Sequence, residues 1–477
     1  MSSLALILFA VGIFLIAYIF YGRYIAKKLD IDHASQTPAH TMYDGIDYVP
    51  ARAPVLLGHH FASIAGAAPI IGPIVAAAFG WIPVTLWIFF GGIFLGAVHD
   101  FTSLIASVRH QGRSIGEVIE DEIGATGKLF FLIFSWTTLI LVGAVFIIVV
   151  GKTFEETPQA ASASVLFIAV AVVFGLLLYQ FKMPLGLSTT VGLVLLALSL
   201  IAGYIYPLTL PQWLWHIILI VYIFIASVAP VWILLQPRDY LNSFILYALM
   251  ILGLGGIVLA NPAIQLPAFT SFHIDSLGYL FPILFVTVAC GAIAGFHSLV
   301  ASGTTAKQLN SEKDAHPVGY GAMLIESLLA VISLITAAML LSDEYSAMNG
   351  NPIAVFSHGL GTMMTRLGIN YNTGKTFASL AVSAFALTSL DTATRLARFA
   401  MQEFFTKKDV REDQQPFMAK NRYAVTFVSV SFAALLVFSG QGLKLWPIFG
   451  SANQLLAALA LLSVTVWLSR KGQRALF

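Results

Sequence analysis

The sequence predicts an all-α polytopic membrane protein with about thirteen transmembrane helices, and three observations carry that reading. Apolar residues make up 58% of the 477 and charged residues only 10%, whereas a globular chain carries roughly 25% charged residues and needs them to cover its exterior. Runs of about 20 apolar residues, the length that spans a bilayer as helix, recur along the whole chain. The basic residues also collect on one set of the alternating loops. The net charge of +2 provides no basic surface for nucleic acid and no acidic tail. The single cysteine, Cys290, excludes an intramolecular disulfide and a CxxC motif.

The expected spans are 4–22, 55–80, 84–109, 128–150, 163–181, 184–206, 213–235, 239–260, 279–303, 317–342, 376–400, 422–440 and 446–469. The first has no basic residue before it and is followed by Arg23, Lys27 and Lys28, so it reads as an uncleaved anchor rather than a signal peptide. An odd number of crossings puts the termini on opposite sides. With the N-terminus outside and the C-terminus cytoplasmic, the outer side holds only Lys152, Arg366, Lys375 and Lys444 of the 25 basic residues. The remainder, from Arg23 through Arg238, Lys307, Lys408 and Arg474, lie on or near the inner side, as the positive-inside rule expects.

The second span contains the stretch GHHFASIAGAAPIIGP at 58–73. Pro69 and Pro73 lack N–H donors and press on the carbonyls of Ala65 and Pro69, and Gly58, Gly66 and Gly72 weaken the helix further. A Pro-kinked, closely packed helix would also carry such a sequence. The ninth span, with CGAIAGFHS at 290–298 and SGTT at 302–305, is equally rich in glycine and hydroxyls and crosses in the opposite direction. Each is followed by a continuous span, then a short amphipathic segment (113–124 inside, 352–366 outside), then another span. Interrupted helices at matching positions of oppositely oriented halves point to the binding site of a secondary transporter.

The arrangement resembles the LeuT-type fold of two five-helix inverted repeats. The expected division is a peripheral helix and loop at 1–54, a first repeat with two extra helices at 55–260, a second repeat at 279–469, and a cytoplasmic tail at 470–477. On longer motifs the chain also resembles the carbon starvation protein A family. The matching stretches are 58–73, GAVHDF at 96–101, QPRDYLN at 236–242, GAIAGFHSLVASGTTAKQL at 291–309, TSLDTATRLARFAMQE at 388–403 and FGSANQLLAALAL at 449–461. The resemblance implies uptake of small peptides or, in some members, pyruvate across the bacterial inner membrane.

Ionisable groups at bilayer depth are expensive and usually face protein, a cavity or a partner. His59 and His60 sit at the inner entrance of the first broken helix, where they serve either hydrogen bonding or proton transfer. His99 and Asp100 read as a solvated pair at the inner gate, and His297 as the histidine of the central cavity. Asp391 and Arg395, four apart, can pair along one helix face; alternatively Asp391 carries a proton, with Glu326 as a second proton site. The LeuT resemblance implies a sodium site between the carbonyl of Ala65 and the hydroxyls of Thr388 and Ser389. Half-helix N-termini bind a carboxylate without a lysine, so Ser63, Gly66, Ala67, Thr287, Gly295, His297 and Ser298 are the expected substrate lining. Gating falls to His59, His60, Asp100 and Arg395. Asn453 and Gln454 either add polar contacts or cross-link helices.

No HExxH spacing or Walker motif occurs, so neither a metal nor a cofactor beyond a coupling proton or sodium ion is expected. The favoured reading is an ion-coupled importer of a small peptide or carboxylate. A membrane-embedded nutrient sensor is the alternative, although the inner segments are short for an output domain. A membrane enzyme with a His/Asp site is the third reading.

Overall fold

The computed structural model describes residues 2–31, 35–348, 350–407, 410–411, 414–441 and 446–472. Lys408, Lys444, Arg474 and the tail beyond 472 lie outside the described residues. Each of the thirteen expected spans falls on a helix or a broken helix. Nine helices among the described residues are long and apolar enough to cross a membrane, and the bent pair Ala53–Ile64 and Ala68–Phe79 makes a tenth. Gln212–Val228 and Arg422–Phe438 are apolar but shorter. The ninth expected span is divided into Leu280–Thr287 and Gly295–Val300. By length and composition alone, nine to ten crossings qualify among the described residues.

Many large apolar side chains point outward from the helices. Leu8, Phe9, Leu15, Ile16 and Phe20 of the first helix are all well exposed, as residues meeting lipid tails would be. The polar residues turn inward instead: Ser63, Asp100, His297, Glu326, Thr388 and Arg395 are fully buried. The long helix Tyr371–Phe405 runs along Ala125–Glu156 and also touches Leu235–Ala260 and Ala53–Ile64. The two expected amphipathic segments form the short helices Ile115–Glu122 and Pro352–Met364.

The first interrupted span breaks beside Gly66 and Pro69, and the second between Val288 and Gly295. In the first, Ala65 leaves the helical region (φ −77°, ψ 42°), and the two halves bend by 41°. Pro69 opens the second half, where its missing N–H costs nothing. Pro73, expected to disrupt the chain as well, stays inside Ala68–Ala76. Gly66 is needed at the break because a Cβ there would strike the Ser389 side chain.

The other broken span, the ninth, contains no proline at its break. It unwinds over 288–294, with a single turn bonded to the Ala289 carbonyl and Ala294 extended (φ −136°, ψ 127°). A Cβ on Gly295 would meet the backbone of Asn453 and the Leu456 side chain.

The packing fixes how the two broken helices run. Leu280–Thr287 lies against Ala68–Ala76, and Gly295–Val300 against Ala53–Ile64. The first half of each touches the second half of the other, so they are antiparallel, with the breaks meeting where Ala68, Cys290 and Ala294 pack together.

Candidate functional site

Breaking a helix leaves N–H and C=O groups without their usual partners, and in a membrane interior these must be satisfied by protein or by a wet cavity. Here side chains supply part of the answer. Ser389 Oγ donates to the Ser63 carbonyl at 3.0 Å, Ser333 Oγ to the Ile70 carbonyl at 2.7 Å, and Trp87 Nε1 to the Val288 carbonyl at 2.9 Å. Asn453 Oδ1 accepts from the Phe296 N–H at 2.8 Å, and Gln454 Nε2 donates to the Phe285 carbonyl at 2.7 Å. Asn453 and Gln454 thus cross-link the last helix to the second break. The N–H groups of Ala67 and Ala68 find no acceptor among the described residues. They open the second half of the first broken helix, where a negative ligand group is favoured by both the free donors and the helix dipole.

A buried polar cluster lies on each side of the paired breaks. The first is built on Ala53–Ile64, Leu235–Ala260 and Tyr371–Phe405. His59 Nδ1 is 2.7 Å from Asp239 Oδ2, and Ser63 Oγ donates to the same oxygen at 3.2 Å. Ser63 Oγ also lies 3.1 Å from Thr392 Oγ1. Arg238 pairs with Asp391, and Tyr222 donates its hydroxyl to Asp391 Oδ2 at 2.5 Å. Asn242 Nδ2 donates to Thr388 Oγ1 at 2.8 Å.

The second cluster joins Ala97–Arg109, the second broken helix and Ala322–Ala338. Asp100 accepts from His99 Nδ1 at 2.8 Å and from His297 Nδ1 at 3.1 Å. His297 Nε2 lies 3.6 Å from Glu326 Oε2, too far for a hydrogen bond. Both Glu326 oxygens are buried without a hydrogen-bond partner. His60 Nδ1, 2.9 Å from Thr305 Oγ1, ties the first broken helix to the end of the second.

Three expectations need correction. Asp391 and Arg395 do not pair although they share a helix face. Asp391 is taken by Arg238, while Arg395 Nη1 reaches Asp47 at 2.7 Å and its Nη2 the carbonyls of Ala226 and Ala229 at 2.8 and 2.5 Å. Partners on neighbouring elements outcompete a weak intrahelical pair. His99 and Asp100 are fully buried rather than solvated, because the second broken helix and Ala322–Ala338 cover them. Arg238 sits inside Leu235–Ala260, buried, not in an inner loop.

The remaining expected residues divide between the two clusters. Ser63, Ser389 and Asp391 gather in the first with His59, and Thr388 joins them through Asn242 rather than through the break. His297, Glu326 and Asp100 gather in the second. Gly66 and Ala67 form the first break. Thr287 ends the helix before the second break, whose far end is Gly295. Ser298 Oγ bonds back to the Gly295 carbonyl at 2.8 Å.

Sequence reasoning missed Arg238, Asp239, Asn242, Tyr222, Cys290 and Asp47. The stretch QPRDYLN held three of them, but beginning a span at residue 239 hid their depth.

Below the first cluster, Asp47 bridges Arg395 and Arg398, with Arg398 Nη2 3.0 Å from both carboxylate oxygens. Burial pushes the Asp47 carboxyl up, but Arg398, Arg395 and Lys307 more than reverse this and hold it at about 2. Lys307 lies over the Phe399 ring at 3.5 Å, and burial lowers its pKa below the ordinary lysine value.

A family model described as carbon starvation protein CstA matches residues 2–355 and 349–477. A curated relative named peptide transporter CstA from Campylobacter jejuni is 34% identical over 99% of this chain and 77% of its own length. The Bacillus subtilis protein of the same name is 34% identical over 97% of this chain and 84% of its own. A pyruvate/proton symporter, BtsT, from Escherichia coli is 33% identical over 98% and 77%. Among solved structures, a manganese transporter from Eremococcus coleocola shares the fold, with a TM-score of 0.52 at 11% identity over 89% of this chain and 80% of that one.

Proposed function

The chain belongs to the carbon starvation protein CstA family of transporters, and from that premise we propose a proton-coupled symporter importing small peptides or a small carboxylate such as pyruvate. As a family member it is a multi-pass membrane transporter and not an enzyme. The observation that carries the proposal is the antiparallel pair of breaks. They bring bare backbone donors at Ala67 and Ala68 together with buried ionisable clusters on both sides. A ligand carboxylate would sit at that half-helix N-terminus, with Ser63, Gly66, Ala67, Thr287, Gly295, His297 and Ser298 as the surrounding lining.

Proton coupling is favoured over sodium by two features. Glu326 has two buried oxygens without a hydrogen-bond partner, and burial of a carboxyl without hydrogen bonds favours its protonated form. The hydroxyls proposed for sodium are already engaged, Ser389 with the Ser63 carbonyl and Thr388 with Asn242. The name of the Escherichia coli relative also states proton symport. Glu326, with His297 and Asp100, is therefore the proton site of the proposal. Asp391 holds the neighbouring structure through Arg238 and Tyr222, and His59, His60, Arg395 and Asp47 form the inner gate.

The two breaks, read as equivalent helices of inverted repeats (55–260 with two extra helices, and 279–469), support a LeuT-like five-plus-five core within thirteen spans. The helix at 1–54 is then peripheral. The N-terminus lies outside and the C-terminus in the cytoplasm, with the protein in a bacterial inner membrane. The sensor reading has no observation in its favour, since the relatives are named for transport.

Uptake into proteoliposomes, with proton and sodium gradients imposed separately over a panel of peptides and pyruvate, tests the proposal. Accumulation driven by the proton gradient alone is expected. Accumulation that follows only sodium, or binding without flux, would overturn it.

A further inference from the structure

Three potential metal donors converge beside the second break: Cys290 Sγ, His297 and Glu326, whose ligand atoms all lie within 4.8 Å of one another and are fully buried. Their spacing in the sequence matches no metal motif, because they come from the unwound stretch, the half-helix Gly295–Val300 and the neighbouring helix Ala322–Ala338. His297 is oriented as a ligand would be. Its Nδ1 faces Asp100 Oδ2 at 3.1 Å, and Asp100 also accepts from His99. This leaves Nε2 directed at Glu326 and Cys290, in the carboxylate–histidine arrangement that supports many metal sites. His297 Nε2 and both Glu326 oxygens are buried and have no hydrogen-bond partner. Asn453 Nδ2 lies 3.8 Å from Cys290 Sγ, a donor suited to a thiolate.

We propose that Cys290, His297 and Glu326 bind a divalent transition metal of the zinc type, and that filling this site pins the second break to Ala322–Ala338 and stops transport. The mixed sulfur, nitrogen and oxygen set excludes magnesium and calcium, which take oxygen ligands, and suits zinc or cobalt. Ligand atoms up to 4.8 Å apart must draw together to form metal–ligand bonds of about 2.0–2.3 Å. Binding displaces the thiol proton and any proton on Glu326, so metal and proton compete. Arrest of transport rests on the symporter reading; coordination does not.

The purified full-length protein in detergent, titrated with cobalt(II), tests the site directly. This chain has one cysteine, so any intrinsic thiolate-to-cobalt charge-transfer band reports Cys290 alone. We expect the band to saturate at a single equivalent and to be bleached by zinc. Its absence from the wild-type protein overturns the proposal without recourse to any variant. Cys290→Ser should remove the band, whereas His297→Gln and Glu326→Gln should each weaken cobalt binding at least about tenfold. Unchanged affinity in both of the latter would also overturn it.

In proteoliposomes, zinc should block uptake reversibly by chelation, and Cys290→Ser should shift the inhibitory concentration upward at least about tenfold. Zinc bound without inhibition would refute the arrest. A wild-type protein that binds cobalt but transports nothing would instead refute the symporter reading and leave the site standing.

Discussion

The two clusters flanking the breaks both contain buried histidine and carboxylate groups yet differ in how completely they are satisfied. Around the first break every charge has an opposite partner: Asp239 faces His59 and Ser63, and Asp391 faces Arg238 and Tyr222. Some atoms are left over, such as Asp391 Oδ1 and Arg238 Nε, but no group is isolated. Around the second break Asp100 is well served by two histidines, whereas Glu326 has neither oxygen hydrogen-bonded and faces only His297 Nε2, at 3.6 Å. A buried polar group without a partner costs stability that a structural role would not repay. The comparison therefore separates a cluster that holds the helices from one poised to take up a proton or a cation.

The largest effect expected from this contrast is functional. Glu326→Gln removes the exchangeable proton but keeps the shape, so proton-driven accumulation should fall to the level of empty vesicles. Thermal unfolding in detergent should shift little, since the glutamine replaces a carboxyl that has no bonded partner. A variant that retains accumulation would break the distinction between the clusters.

The converse holds for the first cluster. Arg238→Ala strands Asp391 and leaves Asp239 with less compensation in the interior, and breaking a buried pair in this way costs about 3–5 kcal/mol. The expected result is a strong loss of folded protein on size-exclusion chromatography. Arg238→Ala combined with Asp391→Ala should recover part of it, because no lone charge then remains.

How legible this contrast was in the sequence depends on which interactions set it. The breaks were readable because Pro69, Gly66 and the glycines of 291–303 act locally, through missing donors and missing side chains. The membership of His297 and Glu326 in one cluster was not, since it depends on which face of Ala322–Ala338 meets the second break. Reading charge as a marker of helix ends puts Arg238 in a loop, although it lies buried inside Leu235–Ala260. Its partner Asp391 lies far along the chain, and nothing in the periodicity links the two. The supposed Asp391–Arg395 pair failed for the same reason, as local spacing predicts only what competing tertiary partners permit.

A smaller effect tests the breaks themselves. Gly66→Ala adds a methyl group where the Ser389 side chain sits, and overpacking of this kind costs about 1–3 kcal/mol. Gly66→Ala with Ser389→Ala should recover only part of the stability, because removing the obstructing hydroxyl also removes its bond to the Ser63 carbonyl, measured as partial recovery of the melting temperature. Failure to recover would place the strain in the backbone of the break rather than in this contact.

The smallest change expected near neutral pH concerns the inner lock at Asp47. Its carboxyl is held at about 2 against an ordinary value of 3.8, so the folded state favours the ionised form. Stability from this shift is fully present above about pH 4 and is lost as pH falls through the folded value. Its size is on the order of 2 kcal/mol. Melting temperatures of wild type and Asp47→Asn should therefore differ by a constant amount between pH 8 and about pH 5, and converge only under more acidic conditions. A difference that already shrinks between pH 8 and 6 would mean that the two arginines do not hold Asp47 as described.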